Sequence, residues 1–511
     1  MQTFVPFLLC LLSGALIVPS MAPWGIWPML FVGFSIFYAQ LAAAPKKKAA
    51  FLYGWLFGFG YFVSSLWWIA NALLVPGNDF LWVWPLAVAG LPAGLAFFPA
   101  LACVCINRCS DMRALPGFLF FVSLMALAEW LRGHIFTGFP WNLYAYGWSG
   151  WDGMIQNLAW GGPYMLTLLT VFWAALPGFL YRSEATTKHR AVIASSAIVI
   201  FAVCFLYGHF RLITPDVQNN DTALQIKIVQ PNILQEDKWN PEKAGENLHK
   251  LLSLSAATDT ADADEEDITT LIVWPETAIT LDTLNHPVAH KMMAEMMAGH
   301  RQPVYLATGL MRFEETQDKT TYFNSLALLD QDLNIASVYD KTHLVPFGEY
   351  IPFQKNLSFT PLAHFEGFAT GPGPRTLQAS GLPGFSPLIC YEVIFPGAVI
   401  SQTDPGPSFI LNVTNDGWYG DSPGPRQHFM QARFRAIEEG LPVVRAANTG
   451  ISGLIDSYGR PLLTIALGSQ ASENVTLPPV LANPTLYSRN GDLFFFLAVL
   501  FLILPSKRRR P

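Results

Sequence analysis

Three ionisable residues of different types follow apolar, β-like runs in the second half of this 511-residue chain. Glu276 closes "LIVWPE", Lys341 closes "SVYDK" and Cys390 closes "SPLIC". A cysteine attacks as its thiolate, and a nearby base or positive charge promotes that form. A carboxylate can take the thiol proton, and an ammonium can stabilise both the thiolate and an oxyanion. The three residues therefore predict nucleophilic acyl chemistry, provided that the fold brings them together.

The segment that must position them, 211–489, has the pattern of an α/β domain. Short β-rich runs alternate with helical patterns, and strand ends at one sheet edge are the usual location of chemistry in such folds. The helix predicted over 426–440 ends at Gly440, a favourable C-terminal cap. The other predicted helices cover 241–257 and 286–300, and strands are predicted at 223–232, 269–276, 303–310, 324–330, 335–341, 386–392, 408–416, 441–448 and 452–459.

The remainder of the chain is unusually apolar. The whole sequence is 52% hydrophobic and only 13% charged, whereas soluble domains carry about 25% charged residues. A net charge of −6 without a basic stripe excludes nucleic acid as an expected partner. Most of the apolar runs approach the ~20 residues that a membrane helix needs, so we predict about eight transmembrane helices. They cover 3–20, 25–44, 50–74, 80–106, 114–131, 160–181, 191–210 and 492–505.

Basic residues predict the orientation of these helices, because cytoplasmic loops are enriched in Lys and Arg. They follow the even-numbered runs at 46–48, 108–113, 182–190 and 507–510. Both termini are therefore expected in the cytoplasm and segment 211–489 outside, which in a bacterium is the periplasm. Arg132 and Arg211 are the exceptions. Between the fifth and sixth runs, segment 133–159 is rich in Trp, Tyr and Gly, which is typical of an interfacial or re-entrant segment.

Cysteine usage leaves Cys390 without a partner in the outer segment. Five of the six cysteines lie in or beside the apolar runs, so a disulfide within the outer segment is excluded. An inert, buried Cys390 remains the alternative to a nucleophile. The three cysteines at 103, 105 and 109 fit no common zinc site.

Several stretches resemble the nitrilase (carbon–nitrogen hydrolase) superfamily. They are "VWPETAI", "YDKTHLVPFGEYIP", "LICYEVIFP" and "NVTNDGWYG" with the residues up to "DSYGR". Their order among the apolar runs, together with "GFPWNLYAYGW" at 138–148, is similar to that of the bacterial apolipoprotein N-acyltransferase family. The resemblance implies a Glu276–Lys341–Cys390 triad on a periplasmic α-β-β-α sandwich over 211–489. Transmembrane helices one to seven would occupy 1–210, and the last helix with a basic cytoplasmic tail would occupy 490–511.

The resemblance also implies a reaction and its partners. Enzymes of this family move a fatty acyl chain from a phospholipid, typically phosphatidylethanolamine, through a cysteine thioester. The acceptor is the N-terminal amine of S-diacylglyceryl-cysteine in apolipoproteins, the last step of lipoprotein maturation at the bacterial inner membrane. No metal or other cofactor is expected, and a monomer is the default. The alternatives are a membrane-anchored amidohydrolase that uses water as the acceptor, a transporter with an outer binding domain, and an inert structural protein.

Four further positions match residues that matter in this family. Glu349 and Glu392 are expected to orient Lys341 or to complete its hydrogen-bond network, and Tyr391 is expected to shape the surroundings of the thiol. Trp239 lies in a stretch that resembles a lid at the substrate entrance. The structural alternatives are packing for the aromatic residues and paired surface charges for the glutamates.

Overall fold

The computed structural model describes residues 4–76, 81–218, 224–257, 268–317, 319–350 and 367–503. Two expectations lie outside these residues, a solvated acidic insertion at 258–267 and the basic tail at 507–510. The helices are α1 (Val5–Ala15), α2 (Pro28–Leu41), α3 (Lys47–Leu66), α4 (Trp84–Leu95), α5 (Phe97–Cys109), α6 (Leu115–His134), α7 (Asp152–Ile155), α8 (Leu158–Arg182), α9 (Thr187–Ile213), α10 (Ala244–Ser255), α11 (Leu281–Asn285), α12 (Pro287–Ala298), α13 (Pro423–Glu439), α14 (Leu486–Asn490) and α15 (Leu493–Ile503). The strands are β1 (Val217–Gln218), β2 (Leu224–Gln230), β3 (Thr269–Val273), β4 (Ile279–Thr280), β5 (Val304–Glu315), β6 (Thr320–Leu329), β7 (Ile335–Asp340), β8 (Leu377–Ala379), β9 (Leu382–Ile389), β10 (Phe409–Thr414), β11 (Val443–Ala447), β12 (Ser452–Ile455), β13 (Pro461–Ile465), β14 (Ala471–Thr476) and β15 (Val480–Leu481).

Apolar helices make up the N-terminal part, as the composition predicts. Within the described residues, five continuous helical stretches are long and apolar enough to cross a membrane. Three shorter apolar helices correspond to the first, second and last predicted runs, so the total of eight spans stays a prediction. The five stretches are Lys47–Leu74, Leu81–Cys109, Leu115–His134, Leu158–Arg182 and Thr187–Ile213.

The basic loops between these helices lie together at one end of the bundle. Arg113 forms a 2.8 Å ion pair with Glu184. Arg182 donates to the carbonyl of Ala39 at 3.0 Å, which joins the loop after α8 to the end of α2. The globular domain contacts the opposite end, so the loops that carry the positive charges and the β-sheets lie on different sides of the bundle.

Most of segment 133–159 enters the protein, although residues 134–137 are exposed. Tyr144 and Trp148 are fully buried, whereas the composition favoured rings at the level of lipid headgroups. Irregular backbone at membrane depth is tolerated only where protein or a cavity covers it. Here Arg132, paired with Glu129 at 2.7 Å, donates to the carbonyls of Phe139 and Trp141. This buried ion pair satisfies backbone groups that lipid would leave without partners.

The globular domain is built on two large sheets that pack face to face, and β1 pairs with β15 in a separate two-stranded sheet. The first has the order β14-β2-β3-β5-β6-β7, with β4 pairing β5, and the second has the order β13-β12-β11-β10-β9-β8. Parallel strands form the centre of each sheet, β2-β3-β5 and β9-β10-β11. Apolar residues of both sheets, such as Ile226 and Phe385, share one buried core. Strands buried on both faces explain why these segments appear as continuous apolar runs.

Helices cover the outer face of each sheet, which gives the expected α-β-β-α order of layers. On the first sheet, α10 and α12 bury residues such as Leu251 and Met293. On the second sheet, α13 packs between the strands and the membrane bundle, where the ring of Phe434 stacks on Tyr146 with centroids 4.4 Å apart. The C-terminal cap predicted for α13 is confirmed, because Gly440 adopts a left-handed φ of 73° and its N–H donates to Ala436.

Candidate active site

The three sequence-predicted residues all follow strands. Lys341 comes directly after β7, Cys390 directly after β9, and Glu276 three residues after β3. All three are buried, with 1%, 6% and 7% of their surface exposed. The turn that carries Glu276 lies so close to β5 that a Cβ on Gly309 would stand 2.3 Å from the N of Thr277. A glycine is therefore required at that point of the neighbouring strand.

Two carboxylates hold the Lys341 ammonium. Its Nζ lies 2.9 Å from Glu349 Oε1 and 3.5 Å from Glu276 Oε1. The side-chain amide of Asn324 donates to both of these oxygens at 2.8 Å. The second oxygen of Glu276 accepts from the backbone N–H of Asn415 at 2.9 Å. The structure thus brings Glu276, Lys341 and Glu349 into one hydrogen-bonded group.

Cys390 forms a sharp turn between β9 and a short 3-10 helix. Its φ is 52°, in the left-handed region that residues other than glycine rarely adopt. Such a conformation costs of order 1–2 kcal/mol and persists only where the surroundings enforce it. The carboxylate of Glu392, two residues later, accepts from the N–H of Ile389 at 2.8 Å and so closes this turn.

Charges in the site act on the Cys390 thiol in opposite directions. Burial and the neighbouring Glu276 raise the pKa of Cys390 to about 12, although Lys341 favours the thiolate. Burial alone would lower the pKa of Lys341, but Glu349 and Glu276 raise it above its ordinary value. At neutral pH the site therefore holds an ammonium and a neutral thiol. Attack requires a base that removes the proton as the new bond forms.

Glu392 joins the loop after Lys341 to the turn at Cys390. Its Oε1 accepts from the N–H groups of Thr342 and His343 at 2.7 and 3.1 Å, and from the Tyr339 hydroxyl at 2.7 Å. Glu392 forms no hydrogen bond or ion pair with Lys341, in contrast to Glu349. Its role is to fix the relative position of two loops that come from different sheets.

A buried polar network contacts the backbone of the turn at Cys390. His428 on α13 lies 3.2 Å from the Cys390 carbonyl through Nε2 and 2.8 Å from Asp416 through Nδ1. Arg445 on β11 donates to the other Asp416 oxygen at 2.8 Å. Burial raises the pKa of Asp416, but Arg445 and His428 outweigh that effect and hold it at about 2.

Tyr391 links the turn at Cys390 to the apolar helical part. Its hydroxyl donates to the carbonyl of Gly138 at 3.3 Å, and its ring packs against Phe395 with centroids 5.0 Å apart. In the next loop, His343 lies 2.6 Å from the carbonyl of Thr137. The buried segment that follows α6 therefore contacts the loops on both sides of the Cys390 thiol.

Trp239 lies outside this cluster, and its neighbour Lys238 lies within it. Trp239 is 49% exposed on the loop between β2 and α10. The ammonium of Lys238 donates to the main-chain carbonyl of Glu276 at 2.9 Å. Burial lowers the pKa of Lys238 to about 8, even though Glu276 and Cys390 favour its charged form. No sequence pattern pointed to Lys238, which resembles a surface charge in "QEDKWNP".

Two asparagines that donate to Glu276 were also not expected from the sequence, and neither were Asp416, His428 and Arg445. Asn324 lies inside β6 and Asn415 follows β10. Polar side chains at strand positions otherwise occupied by apolar residues are the only signal that points to them. Of the three cysteines near the end of α5, Cys103 is buried, whereas Cys105 and Cys109 are exposed.

Comparisons with known proteins divide the chain into an apolar N-terminal part and a globular domain, as its composition does. The profile described as the apolipoprotein N-acyltransferase N-terminal domain matches residues 13–176, and the carbon-nitrogen hydrolase profile matches residues 225–476. An apolipoprotein N-acyltransferase of Rhodopseudomonas palustris is 38% identical, over 98% of this chain and 95% of its own length. One of Brucella melitensis is 39% identical, over 91% of this chain and 88% of its own.

The chain belongs to the apolipoprotein N-acyltransferase family. Its globular domain is a carbon-nitrogen hydrolase domain with the nitrilase-like fold, as expected from the sequence. Two solved structures resemble that domain. An amidase of the nitrilase superfamily from Nesterenkonia is 18% identical with a TM-score of 0.35, over 51% of this chain and 92% of the amidase. A nitrilase-superfamily protein of Saccharomyces cerevisiae is 16% identical with a TM-score of 0.36, over 50% and 91%.

Proposed function

We propose that this protein transfers a fatty acyl chain from a phospholipid to the N-terminal amine of S-diacylglyceryl-cysteine in apolipoproteins. The observation that carries the proposal is the position of Cys390. A buried thiol with a carboxylate and an ammonium beside it lies against the segment that leaves membrane helix α6. A lipid ester reaching the site from the bilayer would meet the nucleophile there.

In the first half-reaction, Glu276 takes the proton of Cys390 while the sulfur attacks the ester carbonyl carbon of the donor. Lys341 stabilises the oxyanion of the tetrahedral intermediate, a type of interaction worth a few kcal/mol. When the intermediate collapses, the bond to the glycerol oxygen breaks. That oxygen takes the proton from Glu276, and a lysophospholipid leaves. The acyl chain remains on Cys390 as a thioester.

In the second half-reaction, the amine of the diacylglyceryl-cysteine attacks the thioester carbonyl. Glu276 accepts a proton from the amine as the C–N bond forms, and the C–S bond breaks. The departing sulfur takes this proton from Glu276, so the thiol and the carboxylate return to their starting states. This two-step exchange is ping-pong chemistry. Phosphatidylethanolamine is the donor that we propose, and the protein acts as a monomer.

The membrane arrangement favours transfer to an amine over hydrolysis. Both substrates are held in the bilayer, which raises their effective concentration at the site, while a buried thioester meets little water. We assign residues 1–210 to membrane helices one to seven, 211–489 to a periplasmic catalytic domain and 490–511 to the last helix. Both termini then lie in the cytoplasm of a bacterium whose inner membrane holds the enzyme, on the side of the clustered basic loops.

The distribution of the acyl chain between N-acylated peptide and free fatty acid tests this proposal. Purified protein would be incubated with phosphatidylethanolamine labelled in its sn-1 chain and with a diacylglyceryl-cysteine peptide. We expect label in an N-acylated peptide, with little free fatty acid, and none of either with Cys390→Ala. Label found mainly in free fatty acid, at a rate that the peptide does not change, would instead identify a membrane-anchored hydrolase.

A further inference from the structure

A polar cavity lies where the last helix of the N-terminal bundle enters the globular domain. Its volume is about 190 Å³. It opens beside the end of α9 and the hairpin between β12 and β13. Its lining includes Tyr207, Arg211, Asp216, Tyr458 and Leu486.

Arg211 lines this cavity beside the hydroxyl of Tyr207, with which it interacts, and one of its donor atoms has no hydrogen-bond partner among the described residues. Its Nη1 donates to Gln156 Oε1 at 2.8 Å, and its guanidinium lies 4.7 Å from the centre of the Tyr458 ring. Its Nη2 is buried and has no hydrogen-bond partner among the described residues. A buried donor without a partner costs about 1–3 kcal/mol, and more when it is charged. An anion that enters the cavity would satisfy it, and the planar guanidinium is suited to phosphate.

Asp216 supplies a negative group at the same cavity. Its backbone is fixed on both sides, since its N–H donates to the Tyr458 hydroxyl at 2.8 Å and its carbonyl accepts from Ala482 at 3.2 Å. No ion pair with a described residue uses its carboxylate, and the residue is exposed. A ligand whose anionic group meets Arg211 can therefore place a cationic group on Asp216.

The surroundings of the cavity are those of a lipid-facing surface. Phe210 and Ile213, on the last turns of α9, are 55% and 56% exposed, and Leu486 on α14 is 51% exposed. Only 17% of the most apolar window of α9 is buried within the protein. The polar residues that follow Ile213 mark the end of the apolar stretch, so Arg211 lies at the depth of lipid headgroups.

The cavity is separate from the site around Cys390. The Thr485 hydroxyl, on the cavity wall, donates to the carbonyl of Glu438 near the C-terminal end of α13. His428, which contacts the Cys390 carbonyl, lies ten residues earlier on the same helix. Ten residues of α-helix span roughly 15 Å. A lipid headgroup in the cavity would therefore not touch the thiol.

We infer that this cavity binds the headgroup of a phospholipid that carries a primary ammonium group. The phosphate accepts from Arg211 Nη2, the ammonium pairs with Asp216, and the acyl chains lie along Phe210, Ile213 and Leu486. The binding is non-covalent and does not depend on the proposed transfer reaction. A phosphatidylglycerol headgroup offers the phosphate but no cation, so it is expected to bind less tightly.

Native mass spectrometry of lipid bound to the full-length protein tests this inference. Every sample carries Cys390→Ala, so that the lipid is not consumed, and is titrated with phosphatidylethanolamine or phosphatidylglycerol in detergent. We expect Arg211→Gln to lose one bound phosphatidylethanolamine, with about tenfold weaker retention, as the loss of a charged hydrogen bond implies. Asp216→Asn should remove the preference over phosphatidylglycerol. Lys188→Gln, at the opposite end of α9, is the matched control and should change neither.

Three results would overturn the inference. They are unchanged lipid occupancy in Arg211→Gln, a retained headgroup preference in Asp216→Asn, and displacement of the lipid by millimolar inorganic phosphate, which would identify a site for free phosphate. If Arg211→Gln does not fold, as judged by its thermal unfolding, Asp216→Asn decides, because its side chain makes no ion pair with a described residue.

Discussion

The Lys341 ammonium lies closer to Glu349, at 2.9 Å, than to Glu276, at 3.5 Å. Both carboxylates also accept from the amide of Asn324. Two acidic residues beside one cation can have different roles. One of them can accept a proton while the other keeps the cation in position. We propose Glu276 as the base, because among the neighbouring carboxylates it contributes most to the raised pKa of the Cys390 thiol.

This division predicts different effects for two matched variants. Glu276→Gln removes the base, so the single-turnover rate of acyl-enzyme formation should fall by about 10²–10⁴-fold. Glu349→Gln keeps the base and weakens only the hold on Lys341, so we expect a smaller loss, of about tenfold. Rapid-quench measurement of the acylated protein distinguishes them. Equal losses in the two variants, or an active Glu276→Gln, would contradict the assignment.

The protonated state of Cys390 predicts an unusual pH dependence of alkylation. With a pKa raised to about 12, the thiolate fraction should increase about tenfold per pH unit from pH 7 to 9, without a plateau. The rate of iodoacetamide labelling, measured after replacing the exposed Cys105 and Cys109 by Ser, should follow it. Glu276→Gln should label faster, because a negative charge beside the thiol is removed. A plateau with a midpoint between pH 6 and 8 would show a preformed thiolate.

Lys238 should influence the reaction although it is absent from the expected triad. Its ammonium holds the Glu276 carbonyl and has a pKa lowered to about 8 by burial, so its charge is lost as the pH rises through that value. We expect acyl transfer to decline above pH 8 for this reason. Lys238→Met should slow transfer about tenfold and lack this alkaline decline, and Lys238→Arg should retain the charge to higher pH. An unchanged pH profile in Lys238→Met would exclude the role.

We expect the buried ion pair of Asp416 with Arg445 to contribute more to stability than an exposed ion pair does. Asp416→Asn leaves Arg445 buried without its carboxylate, so we expect a loss of about 3–5 kcal/mol in the free energy of unfolding. Asp421→Asn, which breaks an exposed ion pair with Arg426, is the control and should change little. Denaturant unfolding measures both. Equal stabilities would contradict the account of the network under Cys390.

The same carboxylate predicts how stability depends on acid. The pKa of Asp416 is about 2 in the folded protein and about 3.9 in an unfolded chain. The unfolded state therefore binds more protons between these values. The stabilisation from Asp416 is fully present above about pH 4 and is lost as the pH falls toward 2. Asp416→Asn should remove this part of the acid sensitivity.

Part of the site could be predicted because strand ends are visible in a sequence. Apolar runs buried on both faces end abruptly at Glu276, Lys341 and Cys390, and sheet topology brings such ends together. The assignment of these residues to one triad, and the reaction proposed for it, depend on the resemblance to a family. Geometry alone supplied the difference between Glu349, which touches Lys341, and Glu392, which positions it through the backbone.

The remaining contacts depend on long-range packing, which local patterns do not encode. Lys238 precedes a half-exposed tryptophan in a polar loop, and only the folded chain brings its ammonium to Glu276. Segment 133–159 was expected to be interfacial or re-entrant, because Trp and Tyr are frequent near the headgroups. The same residue types also suit a buried core, and the Arg132–Glu129 pair is what allows this irregular segment to be buried.

The most direct test of the central claim is the mass of the intact protein after mixing with phosphatidylethanolamine, with Cys390→Ala alongside. We expect the mass of one fatty acyl group to be added to the wild type alone, and a diacylglyceryl-cysteine peptide to remove it while becoming N-acylated. A folded wild-type protein that acquires no acyl group, or a Cys390→Ala variant that acquires it equally, would contradict a thioester at Cys390.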